Sequence, residues 1–305
     1  MNQRELARAV DHPEPSGRDV TVVEVGPRDG LQNEPEVIPT RVKIAFVEAL
    51  ADAGFPVVEV TSFVNPKRVP QLADAAEVMS GMRRVPGVRY PVLIPNQRGL
   101  ERALAVGVDA IALFAAATED FSVANVGASI ADTFDRFEPV VASARERGLW
   151  VRGYVSVAFG CPYTGKVPTA AVADVAARLL ALGCDEICLA DTIGVGTPVD
   201  TRNVLQSVLP FIAVERLGLH FHDTSGTALA NVDEALTHGV RIFDAAAAGL
   251  GGCPFAPGAP GNLATERLIE LLEDNGLRTA VSRERLREAV ALLEPYVPRI
   301  EQLRA

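Results

Sequence analysis

The stretch TAAVADVAARLLALGCDEICLAD (169–191) decides the fold class, because a helix pattern in it is followed at once by a strand pattern. Its first part repeats apolar residues at helical spacing between Thr169, a predicted N-cap, and Gly183, a predicted helix end. The run EICLAD (186–191) then reads as a short buried strand, and another strand candidate, VRGYVSVAF (151–159), precedes the helix. The stretch therefore predicts one β-α-β unit of an α/β fold.

The same alternation recurs along the chain, and the strand candidates number eight, as a closed (β/α)8 barrel requires. They are VTVVEVG (20–26), PVVEVTS (56–62), RYPVLI (89–94), AIALFAA (110–116), VRGYVSVAF (151–159), EICLAD (186–191), LGLHFHD (217–223) and RIFDAAAA (241–248). A further helix candidate, TRVKIAFVEALADAG (40–54), begins at the N-cap-like Thr40 and ends at Gly54. No linker or change of composition divides the series, so a single domain is favoured.

The predicted organisation is an α/β chain with one TIM barrel. We expect a flexible leader over residues 1–18, the catalytic barrel over 19–275 and a C-terminal helical extension over 276–305. The beginning of the chain shows neither the apolar core of a signal peptide nor a transit-peptide pattern, which favours a cytoplasmic location.

Charge and composition exclude several classes of partner. The net charge of −10 and the pI of about 5.0 argue against a nucleic acid, whose phosphates need a basic face. No apolar run of about 18 residues is present, so no membrane span is expected. The four cysteines lack a paired zinc-type spacing, and we expect them to be reduced thiols.

Polar, reactive side chains follow the strand candidates rather than precede them. In a barrel of this kind the active site lies at the carboxyl ends of the strands, on the loops that lead into the helices. The segments are GPRDGLQNE (26–34), TSFVNP (61–66), FGCPYTGK (159–166), DTIGVGTP (191–198), HDTSG (222–226) and GLGGCPFAPGAPGN (249–262). Their position predicts a catalytic site at this end of the barrel.

His220 and His222 are two positions apart in the seventh strand candidate, so both imidazoles point to one face. Asp29, after the first strand, and Asn262, after the eighth, can face them once the barrel closes. Two nitrogens and two oxygens without a thiolate favour an ion such as Mg²⁺, Mn²⁺ or Fe²⁺ over a structural zinc. Three alternatives stay open: hydrogen-bonded core histidines, a turn-forming Asp29 and a helix-capping Asn262.

Five segments resemble the hydroxymethylglutaryl-CoA lyase family of metal-dependent TIM-barrel lyases and acyl synthases, in the same order over residues 20–275. They are VEVGPRDGLQNE (23–34), RGYVSVAFGCPYTGKV (152–167), LADTIGVGTP (189–198), LHFHDTSGTALAN (219–231) and AGLGGCPFAPGAPGNLATE (248–266). The first and the last are specific to the family, whereas the histidine pair is shared with related synthases and aldolases.

The resemblance implies a homodimer that acts on an acyl-CoA with a divalent metal, Mg²⁺ or Mn²⁺. It implies that the metal ligands are Asp29, His220, His222 and Asn262. It places Arg28 beside the reacting thioester and Cys253 on a mobile loop over the site, both in catalytic roles. The substrate-binding positions it implies are Gln32, Glu59, Tyr154, Asp191 and Thr192, with Glu266 as a supporting carboxylate.

The reaction implied is cleavage of 3-hydroxy-3-methylglutaryl-CoA to acetoacetate and acetyl-CoA, in leucine catabolism or ketone-body formation. A divalent ion lowers the pKa of the substrate hydroxyl, and His220 or Asp29 then accepts the proton; the sequence leaves that choice open. Arg28 meets the negative charge that develops on the thioester oxygen. A cysteine thiol, with a reference pKa of about 8.5, is a suitable acid, and the resemblance implies that Cys253 returns a proton to the enolate.

Three other functions remain open from the sequence. The first is the same cleavage of a longer 3-substituted glutaryl-CoA, such as isohexenylglutaryl-CoA. The second is a Claisen-type acyl-CoA condensing synthase, which is less favoured because residues 276–305 leave little room for the further domain of those enzymes. The third is a barrel that only binds or assembles, which intact candidate catalytic residues disfavour.

Overall fold

The computed structural model describes residues 17–252, 261–298 and 300. Its strands form one sheet, and every pairing between them is parallel. They are β1 (Thr21–Glu24), β2 (Val57–Val58), β3 (Thr61–Ser62), β4 (Val92–Leu93), β5 (Ala110–Ala116), β6 (Trp150–Ser156), β7 (Glu186–Asp191), β8 (Leu217–Phe221) and β9 (Ile242–Ala245). Their order in the sheet is β2-β1-β9-β8-β7-β6-β5-β4-β3.

The two ends of this order belong to a single predicted strand, and this closes the barrel. β2 and β3 are the halves of the second candidate, 56–62; β2 pairs with β1 and β3 pairs with β4. Between the halves, the N–H of Glu59 donates to the carbonyl of Glu24 at 2.9 Å and the N–H of Val60 donates to that of Pro91 at 3.0 Å. The nine segments therefore occupy eight barrel positions, which confirms the predicted (β/α)8 fold.

Most strands are shorter than predicted, and for three of them the local reason is visible. Pro91 has no N–H to donate, and the third strand pairs regularly only over β4. β6 ends before Val157, whose φ of 53° lies in the left-handed region. The eighth strand gives way after Ala245 to a 3₁₀ turn, Ala247–Gly249.

Helices alternate with the strands around the outside of the barrel. They are α1 (Thr40–Asp52), α2 (Ala75–Gly81), α3 (Gln97–Leu104), α4 (Glu119–Val126), α5 (Ile130–Glu146), α6 (Thr169–Leu182), α7 (Pro198–Val208), α8 (Ala228–Thr237), α9 (Thr265–Asp274) and α10 (Arg283–Ala291). Short 3₁₀ turns also occur at Pro70–Leu72 and Val214–Arg216.

The predicted N-caps are wrong by one residue, because Thr40 and Thr169 are the first helical residues and Pro39 and Pro168 stand at the caps. The hydroxyl of Thr40 donates instead to Asp74 at 2.7 Å. The predicted end of α6 is confirmed: Gly183 adopts a left-handed φ of 112°, which glycine tolerates without strain.

The C-terminal part packs back onto the first helix. α10 lies against α1, and the N–H of Ser282 donates to the carbonyl of Ala53 at 2.7 Å. The boundaries of the leader, barrel and extension stay predictions, and residues 1–16 of the proposed leader lie outside the described residues. Within the described part of the chain, no helix has both the length and the apolar character that a bilayer span requires.

The main apolar core lies between the strands and the helices, but the barrel interior is largely polar. Its small apolar cluster is formed by Leu93, Ala112, Tyr154 and Cys188. Beside it, Arg152 is fully buried. A buried guanidinium is tolerated only when carboxylates pair with it, and Arg152 pairs with Glu186 at 2.6 Å and with Asp244 at 2.7 Å.

Candidate active site

A wide π-helical turn, Gly26–Gly30, follows β1 and presents Arg28 and Asp29. The N–H groups of Asp29 and Gly30 both donate to the carbonyl of Val25, at 2.8 and 3.2 Å. A Cβ at Gly26 would lie 2.6 Å from a carboxylate oxygen of Glu24, so glycine is required there. The turn therefore directs the two charged side chains toward the barrel mouth.

The last residues of the seventh barrel strand supply both histidines. His220 lies in β8 and His222 follows that strand, and their ring centroids are 5.2 Å apart. Phe221 points to the other side of the sheet, where it packs on Phe159 with 5.5 Å between the ring centroids. The predicted shared face of the two imidazoles is thus present.

The structure brings the predicted ligands together. One ligand atom from each of Asp29, His220 and His222 lies within 4.8 Å of the other two, and all three residues are buried. The side-chain N–H of Asn262 donates to Asp29 Oδ2 at 2.8 Å, and its backbone pairs with that of His222. Asn262 does not cap a helix, since α9 begins at Thr265 after an Ala264 cap.

The amide oxygen of Asn262 is the observation that indicates a missing ligand. This oxygen is buried and has no hydrogen-bond partner among the described residues. A buried polar atom without a partner is costly, and its position beside a carboxylate and two imidazoles suits a divalent cation. The four residues therefore fit the ion that the sequence predicts.

Arg28 is held so that part of its guanidinium stays available. Its Nε and Nη2 donate to the two oxygens of Glu59, at 2.7 and 3.2 Å, and its Nη1 donates to Asp29. Among the described residues, three of its five N–H groups are thus engaged. Burial lowers the pKa of Arg28, but Glu59 and Asp29 raise it more strongly, so it remains above its usual value and the side chain stays cationic.

Asp29 is a stable carboxylate. Burial raises its pKa, but the charge of Arg28 and the hydrogen bond with His222 outweigh burial, and the pKa lies well below its usual range. Gln32 donates to its Oδ1 at 2.9 Å. Gln32 thus lies against Asp29, while its predicted binding of substrate stays a prediction. Asp29 is suited to bind a cation rather than a proton.

Glu59 and Tyr154 lie inside the barrel, next to Arg28. The Tyr154 hydroxyl is 2.6 Å from Glu59 Oε2 and 3.1 Å from Asp244 Oδ2, and it accepts a hydrogen bond from Arg152 at 2.8 Å. Burial raises the pKa of Tyr154 well above its usual value, so it is a neutral donor. These contacts support Arg28; direct binding of substrate by Glu59 or Tyr154 stays a prediction.

Asp191 and Thr192 shape the loops at the mouth of the barrel. The Asp191 carboxylate accepts from the N–H groups of Gly196 at 2.8 Å and Val195 at 3.2 Å, so it holds its own loop. The Thr192 hydroxyl accepts from the N–H of Val157 at 2.8 Å, which joins the loops after β6 and β7. Their predicted contact with substrate stays a prediction.

Glu266 supports the turn that leads into the glycine-rich segment. Both oxygens of its carboxylate accept from the N–H of Ala248, at 3.1 and 3.0 Å. Ala248 has a φ of 54°, which costs energy for a residue other than glycine. Glu266 therefore stabilises a strained turn, and its predicted role as a supporting carboxylate of the site stays a prediction.

Cys253 lies outside the described residues, within the gap 253–260, and its role stays a prediction. Both described ends of that gap lie beside Asn262. A Cβ at Gly251 would be 2.6 Å from the Asn262 side-chain nitrogen, and a Cβ at Gly261 would be 2.5 Å from the Gly251 carbonyl carbon. Only glycine permits this close approach of the two chain segments.

Two buried acids were missed from the sequence. Asp244 lies beside His220 in the register of β8 and β9. Glu24 accepts from the N–H groups of Gly26 and Ala247, at 2.8 and 2.9 Å, and from the hydroxyl of Thr265 at 2.7 Å. The sequence feature that could have identified them is a single acid among the apolar residues of a strand, because a buried acid is uncommon unless it has partners.

The buried position of Glu24 predicts a specific pH dependence of stability. Burial raises its pKa from the ordinary 4.5 to about 8, although its three hydrogen bonds lower it. The folded protein therefore binds the Glu24 proton more tightly than the unfolded chain does. The stability that protonated Glu24 contributes is present below the unfolded pKa and is lost as the pH rises toward about 8. Glutamine does not titrate, so the stability advantage of wild type over Glu24→Gln should shrink across this interval.

The measurement is the melting temperature of wild type and Glu24→Gln at several pH values between about 5 and about 8. All other titrating groups are shared by the two proteins, so their effect largely cancels when the two melting temperatures at one pH are subtracted. A difference that stays constant or grows with pH would contradict the assignment.

The profile of the HMGL-like family matches residues 19–293. The chain belongs to the HMGL-like family. Among curated proteins, this family member is similar to the mitochondrial hydroxymethylglutaryl-CoA lyase of Bos taurus. The two are 51% identical over 276 residues, which cover 90% of this chain and 85% of the relative.

Solved structures agree with the fold of this HMGL-like chain. The hydroxymethylglutaryl-CoA lyase of Pseudomonas aeruginosa superimposes with a TM-score of 0.89 at 48% identity, covering 91% of this chain and 93% of that one. An HMG-CoA lyase of Acinetobacter baumannii, in complex with coenzyme A and 3-methylmalate, gives 0.87 at 39% identity, covering 92% and 91%. The TIM-barrel architecture predicted from the strand count is thus the architecture of these enzymes.

Proposed function

We propose that this HMGL-like protein is a carbon–carbon lyase that cleaves 3-hydroxy-3-methylglutaryl-CoA to acetoacetate and acetyl-CoA. The observation that supports it most strongly is the buried group of Asp29, His220 and His222 beside the unsatisfied oxygen of Asn262, with Arg28 adjacent. The lyases at about half identity support the choice of substrate.

A divalent ion, Mg²⁺ or Mn²⁺, would be held by Asp29, His220, His222 and Asn262. When bound, such an ion lowers the pKa of a coordinated hydroxyl and fixes the substrate as a chelate. The donor set of carboxylate, amide oxygen and two imidazoles, without thiolate, favours these ions over a structural zinc.

In the bond-breaking step, the C3 hydroxyl loses its proton and its electrons form the ketone of acetoacetate. The C2–C3 bond breaks, and its electron pair forms the enolate of acetyl-CoA. The remaining N–H groups of Arg28 are suited to stabilise the charge on the thioester oxygen, because the guanidinium is held in place by Glu59 and Asp29 before the reaction.

Of the two predicted proton acceptors, the geometry favours His220. The low pKa of Asp29 makes its carboxylate a poor base. His220 directs Nδ1 to Asp244 at 3.2 Å, which leaves the Nε2 lone pair for the site. Metal binding and proton acceptance both need that single lone pair, so these two predicted roles of His220 exclude each other at any one moment of the reaction. Protonation of the enolate is assigned to Cys253 on the resemblance alone.

An acyl-CoA is the proposed substrate class, supported by the relative that binds coenzyme A. We also propose a homodimer and a cytoplasmic location, with a role in leucine catabolism or ketone-body formation. The location is consistent with Cys161, Cys184 and Cys188, which are buried free thiols.

The test identifies the products that purified protein forms in three parallel reactions: a 3-oxo product and its partner for cleavage, or free CoA and a hydroxy diacid for condensation. The reactions contain 3-hydroxy-3-methylglutaryl-CoA, isohexenylglutaryl-CoA, or acetyl-CoA with a 2-oxo acid. We expect turnover only in the first. Turnover confined to the second would change the substrate, and condensation in the third would establish a synthase instead.

A further inference from the structure

We propose that Asp244 is a positioning residue that fixes the tautomer and ring orientation of His220; this inference rests on the proposed metal-dependent function. The two residues are paired in the register of β8 and β9, so their side chains point into the barrel side by side. His220 Nδ1 lies 3.2 Å from Asp244 Oδ2.

Asp244 is itself held firmly. It is almost fully buried, and the guanidinium of Arg152 donates to its Oδ1 at 2.7 Å. The fully buried Arg152 keeps Asp244 in the carboxylate form, which can only accept hydrogen bonds. The proton of the His220–Asp244 contact therefore belongs to Nδ1 of the histidine.

Tyr154 does not compete for this contact. Its hydroxyl has one hydrogen and lies 2.6 Å from Glu59 Oε2, which is shorter than its 3.1 Å distance to Asp244 Oδ2. The tyrosine hydrogen is thus directed to Glu59, and Oδ2 remains an acceptor for His220. The hydrogen-bond directions are then consistent: Arg152 donates to Tyr154, Tyr154 donates to Glu59, and His220 donates to Asp244.

The consequence for the site is a histidine with its Nε2 lone pair unprotonated. Hydrogen bonding of the non-ligating nitrogen to a carboxylate orients a metal-binding imidazole, and loss of such a partner typically lowers metal affinity about 10- to 100-fold. Asp244 is not one of the four predicted ligands, and of these four His220 is the one it contacts, through Nδ1, so we expect its effect on metal binding to act through His220.

The experiment measures Mn²⁺ binding by electron paramagnetic resonance for wild type, Asp244→Asn and Glu186→Gln, without substrate. Glu186 is the matched control, because it is a buried carboxylate paired with the same Arg152 at 2.6 Å but lies at the start of β7, away from the ligands. We expect the Kd for Mn²⁺ to rise about 10- to 100-fold in Asp244→Asn and less than about twofold in Glu186→Gln.

Nitrogen-15 NMR of histidine-labelled, metal-free wild type provides a second test that does not depend on the folding of Asp244→Asn. The His220 signal, assigned with His220→Gln, should show the proton on Nδ1. A proton on Nε2, equal Mn²⁺ affinity of wild type and Asp244→Asn, an equal loss in both variants, or no Mn²⁺ binding by wild type would overturn the proposal. Tight Mn²⁺ binding without cleavage of the acyl-CoA would refute the proposed function and leave the role of Asp244 intact.

Discussion

Replacement of Arg28 by glutamine should lower kcat about 100- to 1,000-fold while KM changes little, because its free N–H groups act on charge that exists only in the transition state. Arg28→Lys should recover only part of the loss. An ammonium group keeps the charge but cannot bond Glu59 and Asp29 with a planar fork as the guanidinium does. Steady-state kinetics with 3-hydroxy-3-methylglutaryl-CoA measure both values.

The matched control for Arg28 is Arg145→Gln. Arg145 is also paired with a carboxylate, that of Asp185 at 2.7 Å, but this pair precedes β7 at the opposite end of the barrel. Melting temperatures separate catalysis from folding, since removal of Arg28 leaves two buried acids without their cation. A rise in KM at constant kcat would show that Arg28 binds the substrate and the transition state equally and does not act on the transition state alone.

Replacement of His222 by alanine should weaken Mn²⁺ binding more than about 100-fold, which exceeds the range expected for an outer-sphere partner. His222 Nε2 lies 3.9 Å from Asp29 Oδ2, and its loss removes one of the two imidazoles from the group. Wild type should gain thermal stability when Mn²⁺ is added, because binding to the folded state alone raises the free energy of unfolding. The variant should show no such gain.

His238→Ala is the control for loss of a histidine. His238 Nε2 lies 3.1 Å from Glu234 at the end of α8 and belongs to no ligand group. Its variant should bind Mn²⁺ like wild type. An unchanged Mn²⁺ affinity in His222→Ala would remove this histidine from the ligand set.

The barrel was predictable because each strand and helix has its own apolar period, and eight repeats permit one closed arrangement. The errors of prediction concern the ends of individual strands and helices. The division of the second strand into β2 and β3 and the shift of the helix caps to Pro39 and Pro168 depend on backbone hydrogen bonds that no apolar pattern encodes. The predicted ends of strands and helices therefore differ most from the observed ends where hydrogen bonds to another chain segment determine them.

The proximity of Asp29, Asn262 and the two histidines was predictable, because they lie at the carboxyl ends of three strands that closure of the barrel makes neighbours. The buried acids behind these residues, Glu24 and Asp244, were not predictable. Whether their side chains point into the barrel depends on strand register, and their hydrogen-bond partners come from distant segments of the chain. The hydrogen bonds of Asp191 to its own loop show the same limit: a residue type at a motif position does not specify which groups it contacts.

Metal-dependent cleavage is tested by titrating metal-free protein with Mn²⁺ while bound ion and acetyl-CoA release from 3-hydroxy-3-methylglutaryl-CoA are followed together. We predict no turnover in excess chelator, and turnover that rises in proportion to one ion bound per chain. Full turnover without bound metal, or saturation of the site without any acetyl-CoA release, would contradict it.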